Sequence, residues 1–131
     1  MPDKRDITIF VVDDDESIRG ALERLMRSVG LKVETFGSAR EFISTGGIRQ
    51  TGILVLDVRM PEMSGLELQT QLAASGAKIP VIFISAHEDS RAVERALGAG
   101  AVEFLYKPFD DQDLLAAIYR ALDQTANDGA D

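Results

Sequence analysis

The chain has 131 residues and a net charge of −8, and hydrophobic residues make up 45% of it, as in an ordinary single globular domain. The excess of acidic residues disfavours direct binding to nucleic acid or to an anionic membrane and favours cationic ligands. The absence of cysteine and the single histidine exclude disulfides, thiol catalysis and multi-histidine metal sites, so that oxygen ligands remain for any metal.

The amino-terminal segment, residues 1–6, is polar, and the first apolar run that follows it covers residues 7–12. This run is too short for a signal peptide. The other apolar stretches also fall well below the roughly 20 residues that a membrane span needs. A cytoplasmic protein that does not contact a membrane is therefore expected.

Short apolar runs alternate along the chain with longer segments of helical periodicity, and there are five of each. The runs are nearly continuously apolar, which is typical of strands buried on both faces of a parallel sheet. The predicted strands cover residues 7–12, 31–36, 53–56, 81–84 and 102–106.

The first helix is predicted near residues 16–29 because apolar side chains recur there every three or four residues. Its predicted inward residues are Ile18, Ala21, Leu22, Leu25, Met26 and Val29. Ser38 with Glu41, and Ser64 with Glu67, match the S-x-x-E capping box and predict the starts of helices two and three. Helix ends are predicted at Gly30, Gly46, Gly76 and Gly98.

The last helix is predicted to begin near Asp110, and residues 125–131 are small and polar. We therefore expect one domain over residues 1–124, followed by a disordered tail or the stub of a linker. Five β-α units with short connections predict a doubly wound α/β fold with an open five-stranded parallel sheet and right-handed crossovers. The flavodoxin-like strand order 2-1-3-4-5 is favoured, and the length excludes an eight-stranded barrel.

Residues able to do chemistry follow four of the predicted strands. Asp13 and Asp14 follow strand one, Asp57 follows strand three, Ser85 follows strand four and Lys107 follows strand five. In such sheets ligands bind beyond the carboxyl ends of the strands, where the strand order reverses. Because neighbouring strands lie about 4.8 Å apart, the carboxylates of strands one and three are expected to share a cation, and Mg²⁺ suits such ligands.

Lysine is long enough to bring its charge from strand five, about 10 Å away, back to Asp57. Carboxylates beside Mg²⁺ and lysine are typical of phosphoryl transfer, in which aspartate is a known nucleophile. Spacing alone does not decide which aspartate attacks. Each residue taken singly also has a structural interpretation, as a helix cap, a turn residue or a solvated side chain, and the joint placement at one edge favours a functional site.

Other motifs carry less. His87 is read as a surface-loop histidine, and its nearness to Ser85 does not indicate a serine hydrolase because no G-x-S-x-G elbow occurs. The glycines in Gly98–Gly100 follow a predicted helix and precede a strand, the reverse of a dinucleotide-binding turn. No G-x-x-x-x-G-K-[ST] loop occurs either, so an ATPase is not expected.

Four motifs in order resemble the receiver domain of two-component response regulators. They are VVDD at residues 11–14, LDVRMPEMSG at residues 56–65, IFISA at residues 82–86 and YKPF at residues 106–109. The resemblance covers about residues 7–123 and is greatest to the FixJ-like subgroup. It implies the CheY-like form of the fold already expected from the pattern.

The resemblance also implies a phosphorylation-dependent switch. Asp57 would accept a phosphoryl group from a partner sensor histidine kinase, with Asp14 and Asp57 binding Mg²⁺ directly. Asp13 would bind the ion through water, and the backbone carbonyl of Arg59 would complete the protein ligands. Ser85 would then hydrogen-bond the phosphoryl group.

In the same family Lys107 pairs with the phosphoryl oxygens and Phe104 fills the position of the switch aromatic. Their rearrangement would bias a surface made by helix four, strand five and helix five, used for homodimerisation or for contact with an output domain. On this chain the surface would include Arg91, Glu94, Arg95, Glu103 and Arg120. The resemblance further implies a cis peptide before Pro108, and roles for Arg59 and His87 in setting the lifetime of the aspartyl phosphate.

Two alternatives stay open at this point. Asp13 and Asp15 form an Asp-x-Asp after the first strand, as in Mg²⁺-dependent phosphohydrolases of the haloacid-dehalogenase type, where they would be nucleophile and acid/base. The output is the second open question, because a regulator of transcription would bind DNA only through a separate domain, and a stand-alone receiver would have none. A receiver is not an enzyme of turnover and catalyses only its own phosphorylation and slow dephosphorylation.

Overall fold

The computed structural model describes residues 7–46, 52–86 and 90–128. In these residues five parallel strands form one sheet, and five helices connect and cover them. The strands are β1 (Thr8–Val12), β2 (Lys32–Phe36), β3 (Gly52–Asp57), β4 (Val81–Ser85) and β5 (Glu103–Tyr106). The helices are α1 (Glu16–Ser28), α2 (Ala39–Ser44), α3 (Gly65–Ala74), α4 (Ser90–Gly98) and α5 (Asp111–Asp128).

The strand order is β2-β1-β3-β4-β5, which confirms the predicted doubly wound topology. Each observed strand end lies within one residue of its predicted position. The small differences matter for chemistry, because Asp57 and Ser85 are the last residues of β3 and β4 rather than the first residues after them. Their backbones are therefore held by the sheet.

Burial differs between the centre and the edges of the sheet. The central strands β3 and β4 are buried throughout, and β1 is buried except at Thr8. The prediction that all five strands are buried on both faces is wrong for β2 and β5. Both are edge strands, and β2 alternates, with Lys32 and Glu34 exposed.

The core has two layers, one on each face of the sheet. Helices α1 and α5 pack on one face, where Met26 and Ile118 are fully buried. Helices α2, α3 and α4 cover the other face, where Phe42 and Leu68 are fully buried. The apolar period of α1 is confirmed at the centre of the helix. Ala21 and Val29 are exposed rather than inward, because the buried face of α1 is narrower than the apolar face that the sequence predicts.

The predicted helix starts are confirmed by their caps. The Ser38 hydroxyl accepts from the backbone N–H of Glu41 at 3.1 Å, and the Ser64 hydroxyl accepts from that of Glu67 at 3.1 Å. The Glu41 carboxylate accepts from the N–H of Gly37 at 2.9 Å, one residue before the cap.

The last helix, α5, begins one residue after the predicted position and continues to Asp128, past the predicted boundary at residue 124. No helix within the described ranges has both the length and the apolar character to cross a membrane.

Candidate functional site

The two strands at the centre of the sheet deliver three aspartates to one place. In the parallel pairing of β1 and β3, Val12 lies opposite Leu56. The residues that follow them, Asp13 and Asp57, therefore lie side by side at the carboxyl-terminal edge of the sheet. Carboxylate oxygens of Asp13, Asp14 and Asp57 all lie within 4.8 Å of one another. Asp13 and Asp57 are buried and Asp14 is exposed, so the group is open to solvent on one side.

Lys107 completes this group, which we call the acid pocket: Asp13, Asp14, Asp57 and Lys107. Its ammonium nitrogen lies 2.7 Å from Oδ2 of Asp13 and 3.6 Å from Oδ1 of Asp57. The lysine was predicted to reach Asp57, and it does so, but its shorter contact is with Asp13. Its side chain is only 14% exposed, so these ion pairs are partly shielded from water.

Crowding changes the acidity of Asp57. Burial and the neighbouring Asp13 charge raise the pKa of Asp57 from 3.8 to about 7, although Lys107 acts in the opposite direction. Each neighbouring carboxylate disfavours the ionised form, and a bound cation favours it. Three carboxylates around one space, of which one resists ionisation, fit a hard divalent cation such as Mg²⁺.

Ser85 and Lys107 are linked through the edge of the sheet. Ser85 is buried at the end of β4, and its carbonyl oxygen accepts a hydrogen bond from the Lys107 N–H at 2.7 Å. The strand pairing places Asp57 opposite Ile84, one residue before Ser85. The peptide bond between Lys107 and Pro108 is cis, as the resemblance implies.

Phe104 lies on β5, two strands away from Asp57. Its ring stacks on Phe83 of β4 with centroids 6.0 Å apart and also contacts Tyr106, with centroids 5.4 Å apart. Phe104 is half-buried, and Tyr106 is 41% exposed. The aromatic row therefore joins the inner sheet to the surface at β5.

The loop between β3 and α3 is held tightly beside Asp57. The N–H of Val58 donates to Ile84, and the N–H of Gly65 donates to Val58 at 2.8 Å. A β-carbon on Gly65 would lie 2.2 Å from the carbonyl oxygen of Asp57, so only glycine allows α3 to start this close to the strand. Arg59 begins the loop with an exposed side chain.

Not every predicted residue belongs to the acid pocket. Asp15 caps α1, and its carboxylate accepts from the N–H groups of Ser17 and Ile18, so the capping interpretation holds for this aspartate. His87 lies outside the described residues. The structure also shows a contact that the sequence analysis missed: Arg19 donates to the backbone carbonyl of Asp13. An arginine in an amphipathic helix gives no signal that distinguishes it from a solvated one.

The surface predicted on α4, β5 and α5 carries charges of both signs. Arg120 of α5 forms a hydrogen-bonded ion pair with Glu103 of β5, which ties two of its three elements together. Glu94 and Arg95 of α4 are exposed.

Comparison with known proteins gives the family. Residues 9–119 match the response regulator receiver domain. The chain is 51% identical over 114 residues to the response regulator protein TmoT of Ectopseudomonas mendocina, covering 87% of this chain and 52% of that protein. It is 40% identical over 129 residues to the transcriptional regulatory protein FixJ of Azorhizobium caulinodans, covering 98% of this chain and 60% of that protein.

Solved structures agree. The response regulator StyR superimposes with a TM-score of 0.87 at 51% identity, covering 94% of this chain and 62% of that one. The chain spans about half the length of the curated relatives it matches. The match over most of its residues, together with the acid pocket at the end of a 2-1-3-4-5 sheet, shows that the chain belongs to the receiver domains of two-component response regulators.

Proposed function

We propose that Asp57 is the phosphoacceptor of a Mg²⁺-dependent switch and that it receives its phosphoryl group from a sensor histidine kinase. One observation carries this proposal. Three carboxylates lie within 4.8 Å of one another while the Lys107 ammonium contacts both Asp13 and Asp57. A cation and a lysine on either side of one carboxylate are what a phosphoryl group needs around its oxygens.

In the proposed transfer one bond to phosphorus forms and another breaks. A carboxylate oxygen of Asp57 attacks the phosphorus of a phosphohistidine, and the bond between phosphorus and the imidazole nitrogen breaks. The electron pair stays with the imidazole, and Asp57 becomes an acyl phosphate. Because the attacking form is the carboxylate, the raised pKa of Asp57 makes a neutralising cation useful before the reaction as well as during it.

The residues that would hold the ion are the carboxylates of Asp14 and Asp57 and the backbone carbonyl of Arg59, with Asp13 acting through a water molecule. When bound, Mg²⁺ would neutralise charge that develops on the transferring phosphoryl oxygens. Asp13 meanwhile keeps Lys107 in place through their 2.7 Å contact. Ser85 and Lys107 would then hold the phosphoryl oxygens by hydrogen bond and ion pair.

The phosphoryl group adds negative charge and acceptor oxygens beside the ends of β4 and β5. The backbone N–H of Lys107 donates to the carbonyl of Ser85, and the ring of Phe104 stacks on that of Phe83. We infer that drawing Ser85 and Lys107 inward lets Phe104 turn, which changes the surface of α4, β5 and α5. A phosphorylation-dependent homodimer or an output contact would use this surface.

The output is proposed to be transcription. FixJ, which this chain resembles over 98% of its length, is named a transcriptional regulatory protein. DNA binding would belong to a segment outside this chain, since a net charge of −8 disfavours contact with phosphates. On this proposal residues 1–124 are the receiver and the residues after them lead to the output segment.

Phosphorylation can be tested with a small phosphodonor. Incubation with acetyl phosphate and Mg²⁺ should add one phosphoryl group per chain, seen as one mass increment in intact-protein mass spectrometry under mild conditions. Asp57→Asn should abolish the increment and so should chelation of Mg²⁺. Unaltered labelling of the Asp57→Asn protein would refute the assignment.

The same assay separates the phosphohydrolase alternative. A hydrolase would release phosphate over many turnovers and would depend on Asp13 and Asp15. Asp15 is occupied as the cap of α1, which weighs against its acting as the acid/base. Phosphate release that continues in the Asp57→Asn protein would favour the hydrolase.

Arg59 and His87 are proposed to set how quickly water removes the phosphoryl group. Arg59 follows Asp57 by two residues, and its side chain is exposed. The proposed ion site uses its backbone carbonyl and not this side chain. Arg59→Ala and His87→Ala should change the decay rate of the phosphorylated protein more than the rate of phosphorylation. Equal decay rates in all three proteins would discard this role.

A further inference from the structure

Arg19 reaches the backbone of the acid pocket from the first turn of α1. Helical side chains lean toward the amino-terminal end of their helix, and this lean carries the guanidinium back to the β1–α1 loop. Nη1 of Arg19 donates to the carbonyl oxygen of Asp13 at 2.8 Å. Because the peptide group is planar, this bond orients the unit that joins Asp13 to Asp14.

The position of Arg19 is not explained by the stability of α1. A cation near the amino-terminal end of a helix opposes the helix dipole. The amino-terminal end of α1 already has a cap in Asp15, whose carboxylate accepts from the Ser17 N–H at 2.9 Å. The guanidinium is placed instead where two carboxylates of the acid pocket join the backbone.

The Arg19 bond completes the fixation of Asp13. The Asp13 N–H donates to the carbonyl oxygen of Phe36 at 3.1 Å. Its Oδ1 accepts from the Asp15 N–H at 2.9 Å, and its Oδ2 accepts from Lys107 at 2.7 Å. With Arg19 on the carbonyl, every polar group of Asp13 has a partner.

Gly37, which follows β2, lies close to the guanidinium of Arg19. A β-carbon at Gly37 would lie 3.4 Å from Nη1 and 3.7 Å from Cζ of Arg19. The Gly37 N–H is itself bound by the Glu41 carboxylate at 2.9 Å. The half-buried Arg19 side chain therefore lies between the β1–α1 and β2–α2 loops.

We propose that Arg19 is a positioning residue of the metal site, which sets the direction of the Asp13 and Asp14 carboxylates toward the cation. This inference rests on the Mg²⁺ site of the proposed function. Residues that orient metal ligands typically change metal affinity by about 10- to 100-fold when they are replaced. Loss of Arg19 is therefore expected to weaken Mg²⁺ binding about tenfold.

The sign of the effect separates positioning from simple charge. Arg19→Met removes the hydrogen bond and one positive charge, whereas Arg24→Met removes the same charge from an exposed position on the same helix. Charge alone would tighten the binding of a cation in both variants. Positioning predicts weaker binding in Arg19→Met and none of this loss in Arg24→Met.

The experiment titrates Mg²⁺ alone into the unphosphorylated chain and follows the backbone amide shifts of residues 13–15 by NMR. Arg19→Lys, which keeps the charge and a donor, is expected to recover part of the affinity. Should Arg19→Met not fold by circular dichroism, Arg19→Ala, which also lacks a donor, takes its place with the same expected loss. Undiminished affinity in the folded variant, or an equal loss in Arg24→Met, overturns the inference alone. Failure of the unaltered chain to bind Mg²⁺ overturns the proposed function together with it.

Discussion

Within the acid pocket the Lys107 ammonium lies closer to one of the two buried aspartates than to the other. Lys107 lies 2.7 Å from Asp13 and 3.6 Å from Asp57, and Asp13 also accepts a backbone hydrogen bond from Asp15. Burial and the neighbouring Asp13 charge raise the pKa of Asp57 to about 7. Asp13 is thus the closer partner of the lysine, and on the proposed function a cation or a phosphoryl group would compensate the charge at Asp57.

Glu62, in the loop between β3 and α3, has an unusual backbone. Glu62 has a φ of 69°, and the Met63 N–H donates to the Pro61 carbonyl at 2.8 Å across it. A three-residue turn with positive φ at its centre is rare and strained for a residue with a β-carbon. The Glu62 side chain lies 3.7 Å from Arg40, and both side chains are largely exposed, so this ion pair offsets little of the strain.

Replacing Glu62 should therefore stabilise the protein. Glu62→Asn is expected to raise the free energy of unfolding by about 1 kcal/mol, because asparagine adopts positive φ more readily than glutamate. Urea unfolding followed by circular dichroism measures the change. Glu62→Gln is the matched control, since it removes the charge but keeps the backbone preference, and it should stay within about 0.5 kcal/mol of the unaltered protein. Equal stability of the asparagine and glutamine variants would contradict the strain.

At the scale of elements, the apolar runs predicted where strands begin and end, because a buried parallel strand is apolar at consecutive positions. The same runs did not show that β2 and β5, the edge strands of the predicted order, are less buried than the central strands. Lys32 and Glu34 are exposed in β2, which is an edge strand of the sheet in the described residues, and an apolar run by itself does not report how fully the assembled fold covers a strand. The positive φ of Glu62 was also missed, since glutamate is not a residue that marks such turns.

Glycine shows how the same substitution has opposite effects in two helices. Gly65→Ala is expected to lower the free energy of unfolding by about 1–3 kcal/mol, because its β-carbon would lie 2.2 Å from the backbone oxygen of Asp57. At Gly20, inside α1, the nearest atom would be the flexible end of Arg24 at 3.4 Å. Gly20→Ala should therefore raise the free energy of unfolding by roughly 0.5–1 kcal/mol through helix propensity.

Thermal or urea unfolding of both variants distinguishes the two environments. Stabilisation by Gly65→Ala as well as by Gly20→Ala would mean that α3 can move away from Asp57 without cost. In that case the close approach of α3 to the end of β3 would not be a constraint on the fold.

At the scale of the whole molecule, the convergence of Asp13, Asp14, Asp57 and Lys107 could be predicted because the carboxyl ends of parallel strands meet at one edge. The sequence could not predict that Lys107 lies closest to Asp13, or that Arg19 reaches the Asp13 carbonyl. Both depend on side-chain directions that form only after the helices have packed. Topology was therefore readable from pattern, whereas the contacts that tune the pocket were not.

The acid pocket also makes the stability of the metal-free protein depend on pH. The pKa of Asp57 is about 7 in the folded chain and 3.8 as its ordinary value. A raised pKa stabilises the fold fully below the ordinary value, and this contribution is lost as the pH rises through the folded value. Three pKa units correspond to about 4 kcal/mol, so the free energy of unfolding should fall by this order between pH 4 and 7.

Other carboxylates titrate in the same range, so the measurement compares two proteins. Asp57→Asn lacks this titration, and its advantage in unfolding free energy over the unaltered chain should grow from pH 4 to pH 7 in the presence of a chelator. On the proposed function Mg²⁺ should act in the opposite direction, because it would bind the ionised pocket with release of a proton. Its stabilising effect should therefore be greatest above pH 7 in the unaltered chain and much smaller in Asp57→Asn. Parallel pH profiles for the two metal-free proteins would show that Asp57 ionises as easily in the fold as in the unfolded chain.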